Sequence, residues 1–187
     1  MNEKKIPEEI KLPDFSKLNN VFPEKTKESG YLDFGRHESD SDGEAKMVWM
    51  NESAVVTADS KTPVVGTRSL ADCLGIGVSE EEMNVAGADH MRFDPTHDPE
   101  GDNIGYAYGR VIHLIQRVLE KGGESVTLYL VNMSPVIRGD ARNARLRKVI
   151  ENAIKDERVA NKIKKVEWID HAEGFQIDSR TGKFRTF

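Results

Sequence analysis

Polar and charged residues dominate the first 45 positions, and regular apolar spacing begins only near Met47. From there the period changes several times. The runs 47–50 (MVWM), 54–57 (AVVT) and 64–67 (VVGT) are short, apolar or β-branched, and bounded by turn residues, which predicts three strands. Leu74-Gly75-Ile76-Gly77-Val78 alternates apolar residues with glycine, which predicts a buried strand that another backbone approaches closely. A charged turn at 80–83 and a strand at 85–93 follow, ended by Asp94-Pro95. After a polar loop at 96–103 the period becomes helical. Ala107, Val111, Leu114, Ile115 and Val118 share one face of a helix over 104–121, and Gly122-Gly123 caps it. A β-branched strand at 126–132 comes next. Asp140 caps a second helix whose apolar stripe is Leu146, Val149, Ile150, Ala153 and Ile154. A strand at 163–169 precedes a terminal hairpin, with 175–178 and 183–185 flanking the turn Ser179-Arg180-Thr181-Gly182. Strands first, then helix, strand, helix and three strands predict an α+β fold: a mixed sheet with helices packed outside.

Composition divides the 187 residues into two parts. Hydrophobic residues make up 37% and charged residues 32%, so part of the length is expected to lie outside the core. Pro7, Pro13 and Pro23 interrupt any helix near the N-terminus, and 38–44 is an acidic, Ser-rich tract. Residues 1–46 are therefore expected to be a polar, largely flexible extension, with a short docked piece at 31–34. It is either a passive tail or a targeting or partner-binding arm. Residues 47–187 are expected to be the domain.

Charge and cysteine usage then narrow the function. The net charge is −5 and no long basic run occurs, which argues against a nucleic-acid partner. A single cysteine excludes an internal disulfide and a Cys-rich zinc site. No apolar run approaches the ~18 residues that a membrane helix needs, and the N-terminus lacks the apolar stretch of a secretory signal. The expected placement is a cytoplasm, or delivery to a host cell by a route that needs no signal peptide.

The candidate chemistry sits around that cysteine. Cys73 lies in Gly66-Thr67-Arg68-Ser69-Leu70-Ala71-Asp72-Cys73, and His90 follows seventeen residues later. A lone cysteine is most often a small buried hydrophobe. A thiol with a histidine downstream is also a nucleophile and base in waiting. In acyl transfer from an amide, Cys73 would supply the thiolate and His90 would shuttle the proton. Thr67 would orient the imidazole and fix its tautomer. Gly75 and Gly77 would admit a substrate backbone, and the Cys73 N–H would help to hold the oxyanion.

The order Thr-x5-Cys-x16-His resembles the bacterial chemoreceptor glutamine deamidases of the CheD family, whose active site is a Thr, a Cys and a His at these separations. Further segments are similar to that family: Gly87-Ala88-Asp89-His90-Met91, the Asn132-Met133 pair, Arg142-Asn143-Ala144 at the second helix, and the closing run from Phe175 to Lys183. The resemblance covers about residues 50–187. It implies the fold shared with cytotoxic necrotizing factor deamidase toxins, a mixed β-sandwich flanked by helices, and conversion of a protein glutamine to glutamate by Cys73, His90 and Thr67 through a thioester, without cofactor or metal. The implied partner is a protein presenting an exposed glutamine, with a regulatory protein as a further partner. Two positions depart from the family's pattern. Ala71-Asp72 stands where Gly-Ser is usual, and the proline after the histidine is delayed to Pro95. The target is thus open between a chemoreceptor and, for a toxin or effector, a host protein. The alternative from a different class is a catalytically silent module that binds a partner through the same fold.

Other clusters carry less. Asp94, Asp98, Glu100 and Asp102 offer hard oxygen ligands in one loop that also holds His97, but the spacing fits no calcium loop and a solvated rim is the plainer reading. His113 is expected to be structural, and His171 to lie in a turn. Arg142, Arg145, Arg147 and Lys148 are basic on one helix, which is expected to be a solvated face, with an acidic partner as the alternative. Asn51-Glu52-Ser53 matches a glycosylation acceptor, without a secretion signal to support it.

Overall fold

The computed structural model describes residues 45–71, 73–80, 82, 84–92, 102–132 and 141–187, with backbone alone for 102–105 and 141–145. The extension 1–44, Asp72, the acidic loop at 94–100, Met133 and the Asp140 cap lie outside the described residues.

Among the described residues nine strands form two sheets. The strands are β1 (Ala45–Val48), β2 (Ser53–Thr57), β3 (Val64–Thr67), β4 (Cys73–Glu80), β5 (Val85–Arg92), β6 (Val126–Asn132), β7 (Ile163–Asp170), β8 (Phe175–Asp178) and β9 (Lys183–Thr186). The helices are α1 (Asp102–Leu119) and α2 (Ala141–Ala153). The smaller sheet runs β1-β3-β8-β9 and the larger β2-β5-β4-β6-β7. Both are mixed, because β1 pairs parallel with β3 and β6 parallel with β7, while the other pairs are antiparallel. The expected α+β architecture of strands and two helices is thus observed.

Alternation along the larger sheet sorts its side chains into two cores. Leu74, Ile76, Val78, Val85 and Met91 face α1 and α2, where Val111, Leu114, Ile115, Val118, Val149 and Ile150 are buried. The opposite face carries Ala86, Ala88 and Val131 against Val65, Phe175 and Ile177 of the smaller sheet, with Cys73 at its margin. The helical stripes read from the sequence are the faces that the helices bury. His113 lies exposed on α1.

Three expectations need correction. The first strand begins at Ala45, so Ala45 and Lys46 belong to it and not to the extension, and it stops at Val48. Trp49 and Met50 instead form an exposed turn. The turn wins because the Trp49 N–H donates to the Glu52 carboxylate at 3.0 Å and the Glu52 N–H donates to the Trp49 carbonyl at 2.8 Å. Glu80 is not in a turn but ends β4, 2% exposed. The glycines of β4 do not face a backbone or an open cleft. A Cβ on Gly75 would meet the Phe175 ring and Leu70, and one on Gly77 would meet Ile177 and Phe175. Close backbone approach occurs instead at Gly66, where a Cβ would run into the Phe175 carbonyl, and at Gly174, where it would run into the Thr67 carbonyl.

Candidate active site

The sandwich gathers the three candidate residues at one end. Thr67 is the last residue of β3 in the smaller sheet, while Cys73 opens β4 and His90 lies near the end of β5 in the larger one. The register pairs Cys73 with Arg92 and Gly75 with His90. Cys73 and His90 therefore share a sheet face as diagonal neighbours. Such positions lie roughly 7–8 Å apart at Cα, within reach of side chains that lean together.

Chain entry to Cys73 is tightly built. Ser69 and Ala71 adopt left-handed φ values of 56° and 30°. Non-glycine residues pay of order 1–3 kcal/mol for such conformations and hold them only where the surroundings insist. Between them Leu70 is fully buried, and its N–H donates to the Glu173 carbonyl at 3.0 Å. The Cys73 N–H donates to the Leu70 carbonyl. That bond corrects one expectation: in this conformation the Cys73 amide closes the turn and is not offered to an oxyanion. The Cys73 side chain is half-buried.

Thr67 and His90 bridge the two sheets. The Thr67 hydroxyl lies 2.9 Å from the Val48 carbonyl oxygen and 2.7 Å from His90 Nδ1, and both side chains are buried. A carbonyl only accepts, so the single hydroxyl proton goes to Val48. Thr67 Oγ1 must then accept from His90 Nδ1–H. That assignment leaves the lone pair of neutral His90 on Nε2, which is buried and makes no hydrogen bond among the described residues. Burial first, and the nearby Arg110 charge second, push the His90 pKa down to about 4, against a smaller upward pull from Glu52. The imidazole is neutral at neutral pH, with its basic nitrogen defined by Thr67.

A group absent from the sequence reading stands behind His90. Asp89 points to the other face of β5, where Arg110 of α1 grips its carboxylate through Nε and Nη2 at 2.7–3.1 Å. Burial pushes the Asp89 carboxyl up to about 6, with Arg110 pulling it back down. A charged residue inside the apolar run 85–91, matched by an arginine beside the helix stripe, was the available signal. His171 occupies the turn after β7, with a φ of 70°. Arg147 stacks over the Trp168 ring at 4.6 Å from its centroid, so the basic face of α2 is not purely solvated.

Among the described residues no cluster of His, Cys, Asp and Glu could hold a metal ion. No described helix is long and apolar enough to cross a membrane. The chain matches no protein-family model and no curated protein.

Proposed function

We propose that the protein is a cysteine-dependent protein-glutamine deamidase that uses Cys73, His90 and Thr67. The observation that carries this reading is the Thr67–His90 hydrogen bond, which leaves a buried, unpartnered Nε2 lone pair on the sheet face that Cys73 also occupies. Thr67 acts by orientation, and His90 carries the proton. The Cys73 thiol gives its proton to Nε2 as sulfur attacks the glutamine carboxamide carbon. An imidazole with a pKa near 4 is a weak base, so the transfer belongs in the same step as the attack. The imidazolium then protonates the departing nitrogen, ammonia leaves, and a thioester remains. Water, deprotonated by the same Nε2, attacks the thioester and regenerates the thiol. The balance is glutamine plus water giving glutamate plus ammonia. The same thioester could pass its acyl group to an amine.

A protein substrate suits the rim of this site. Trp49, Met50, Tyr106 and Phe187 are the exposed large apolar side chains among the described residues. Trp49 and Met50 follow β1, whose last pair is Val48 with Thr67. Tyr106 accepts a hydrogen bond from Arg110, which also holds the Asn51 carbonyl. The Phe187 N–H donates to the Gly174 carbonyl at 3.2 Å, and its ring lies under Arg68. All four therefore stand at the Cys73 end of the sandwich. Apolar side chains concentrated around a reactive centre fit a macromolecular surface better than a small polar metabolite. In this reading the two-sheet fold with helices packed on the larger sheet is that of the CheD and cytotoxic necrotizing factor deamidases, and the target is a chemoreceptor or a host protein.

The rival reading, a silent partner-binding module, draws on one observation: the Cys73 N–H is committed to Leu70. Intact-mass analysis separates the two. Incubation with candidate proteins should add about one dalton per converted glutamine and release ammonia, as amide-to-acid exchange requires. A Cys73→Ser protein that converts the same target as fast as wild type would eliminate the deamidase reading. A wild-type thiol that alkylates no faster than a free cysteine, with its pKa of ~8.5, would favour the module.

A further inference from the structure

The backbone on either side of His90 is bound to one turn. The His90 N–H donates to the Glu52 carbonyl at 3.1 Å, and the Asn51 N–H donates to the His90 carbonyl at 2.6 Å. Asn51 adopts a left-handed φ of 66° to do so. Arg110 binds this same turn from the helix layer. Its Nη1 donates to the Asn51 carbonyl at 3.0 Å and its Nη2 to the Glu52 carbonyl at 3.1 Å. The Glu52 carbonyl thus accepts from both His90 and Arg110. Nη1 also donates to the Tyr106 hydroxyl, and Nε and Nη2 hold Asp89, the residue before His90.

An ion pair with side chains 10% and 2% exposed is a costly way to join a helix to a sheet. Apolar side chains of similar volume usually do it as well or better. What they cannot do is bind a carboxylate and two carbonyls in fixed directions, which a planar guanidinium does. We infer that Arg110 is a positioning residue: through Asp89 and the Asn51 and Glu52 carbonyls it sets the backbone of His90 and the turn that presents Trp49 and Met50 on the rim. The inference rests on the Cys73–His90 reading for its consequence in chemistry, and on geometry alone for its consequence in backbone order.

The test uses the full chain as Arg110→Lys, Arg110→Met and Asp89→Asn, with His90→Ala as reference. Two quantities are measured: the rate constant for alkylation of Cys73 by iodoacetamide near neutral pH, and amide hydrogen exchange at His90 and Asn51. Loss of the fork should slow alkylation by about tenfold or more, on the scale of groups that orient a reacting one. The His90 and Asn51 amides should exchange about tenfold faster or more, while Leu128 and Leu130 in β6 keep their protection. Lysine should fail to rescue, because a point charge cannot span three acceptors. Wild-type alkylation and exchange in Arg110→Lys would overturn the inference, as would acceleration of all amides together, which marks a merely global role. Should Arg110→Met fail to fold, the lysine and asparagine variants carry the same comparison. If His90→Ala alkylates at the wild-type rate, the Cys–His reading falls, while the amide exchange still decides what Arg110 does to the backbone.

Discussion

Replacing Thr67 by valine tests the link between the two sheets. Valine keeps the β-branched shape and removes the hydroxyl. Two buried groups then lose their partner: the Val48 carbonyl loses a donor, and His90 Nδ1–H loses an acceptor. Each unsatisfied buried polar group costs about 1–3 kcal/mol, so the expected loss of stability is about 2–6 kcal/mol in all. The imidazole can reduce its share by moving the proton to Nε2, but that places a proton where the base must be. Stability and base function should therefore fall together. Thr67→Ser keeps both hydrogen bonds and loses one methyl, for a cost of about 1 kcal/mol. Thr67→Ala lacks the hydroxyl and should slow deamidation on the order of 10–100-fold, since orientation is lost but nucleophile and base remain. Urea unfolding measures the stability, with unchanged slope as the check that only the folded state was altered. Imidazole nitrogen shifts report the tautomer. The reasoning fails if valine lies within about 0.5 kcal/mol of wild type, the range of an inconsequential surface change. It fails equally if serine is as damaging as valine.

Cys73→Ser and His90→Ala should each abolish ammonia release while leaving a cooperatively folded domain; full activity in either would dismiss the assigned roles. The pH dependence of stability separates two buried groups. His90 titrates near 4 when folded and 6.5 otherwise, so its contribution is complete above pH 6.5 and lost as pH falls through 4. Asp89, raised from 3.8 to about 6, runs the other way: its contribution is complete below 3.8 and lost as pH rises through 6. The two slopes oppose each other between these values, so His90→Asn should become less stable as pH rises from 4 to 6 in urea melts, and a rising trend would contradict it. Removing residues 1–44 should shift the melting temperature by no more than a few degrees, whereas a deletion through Val48 removes the acceptor of Thr67 and should cost far more.

Local patterns foretold most elements because their periods were strong. The helix stripe from Ala107 to Val118 and the β-branched run at β6 each bury the face that their spacing indicated. Thr67 and His90 were paired from sequence order alone, and their side chains meet. What stayed hidden depended on distant partners. Gly75 and Gly77 are explained by Phe175, about a hundred positions later, and nothing local distinguishes a ring filling that space from a backbone or a substrate. The strand at 47–50 had the right composition but was cut short by the Glu52 carboxylate capturing the Trp49 N–H. Arg110 and Asp89 needed the helix to be laid on the sheet before their match could be seen.

The choice between an enzyme and a silent module turns on what is buried without compensation. A binding module of this fold has no use for a neutral imidazole between its sheets, since an apolar residue would fill the space more cheaply. Here burial lowers the basicity of His90, Thr67 Oγ1 accepts from Nδ1–H, and Nε2 is left unpaired at a cost of about 1–3 kcal/mol. Two left-handed residues precede Cys73, and a buried ion pair stands behind the histidine. Stability is given up at several points that converge on one thiol and one nitrogen. Folds surrender local stability in this way chiefly where reactivity requires it. That concentration, more than any single contact, favours the deamidase over the module.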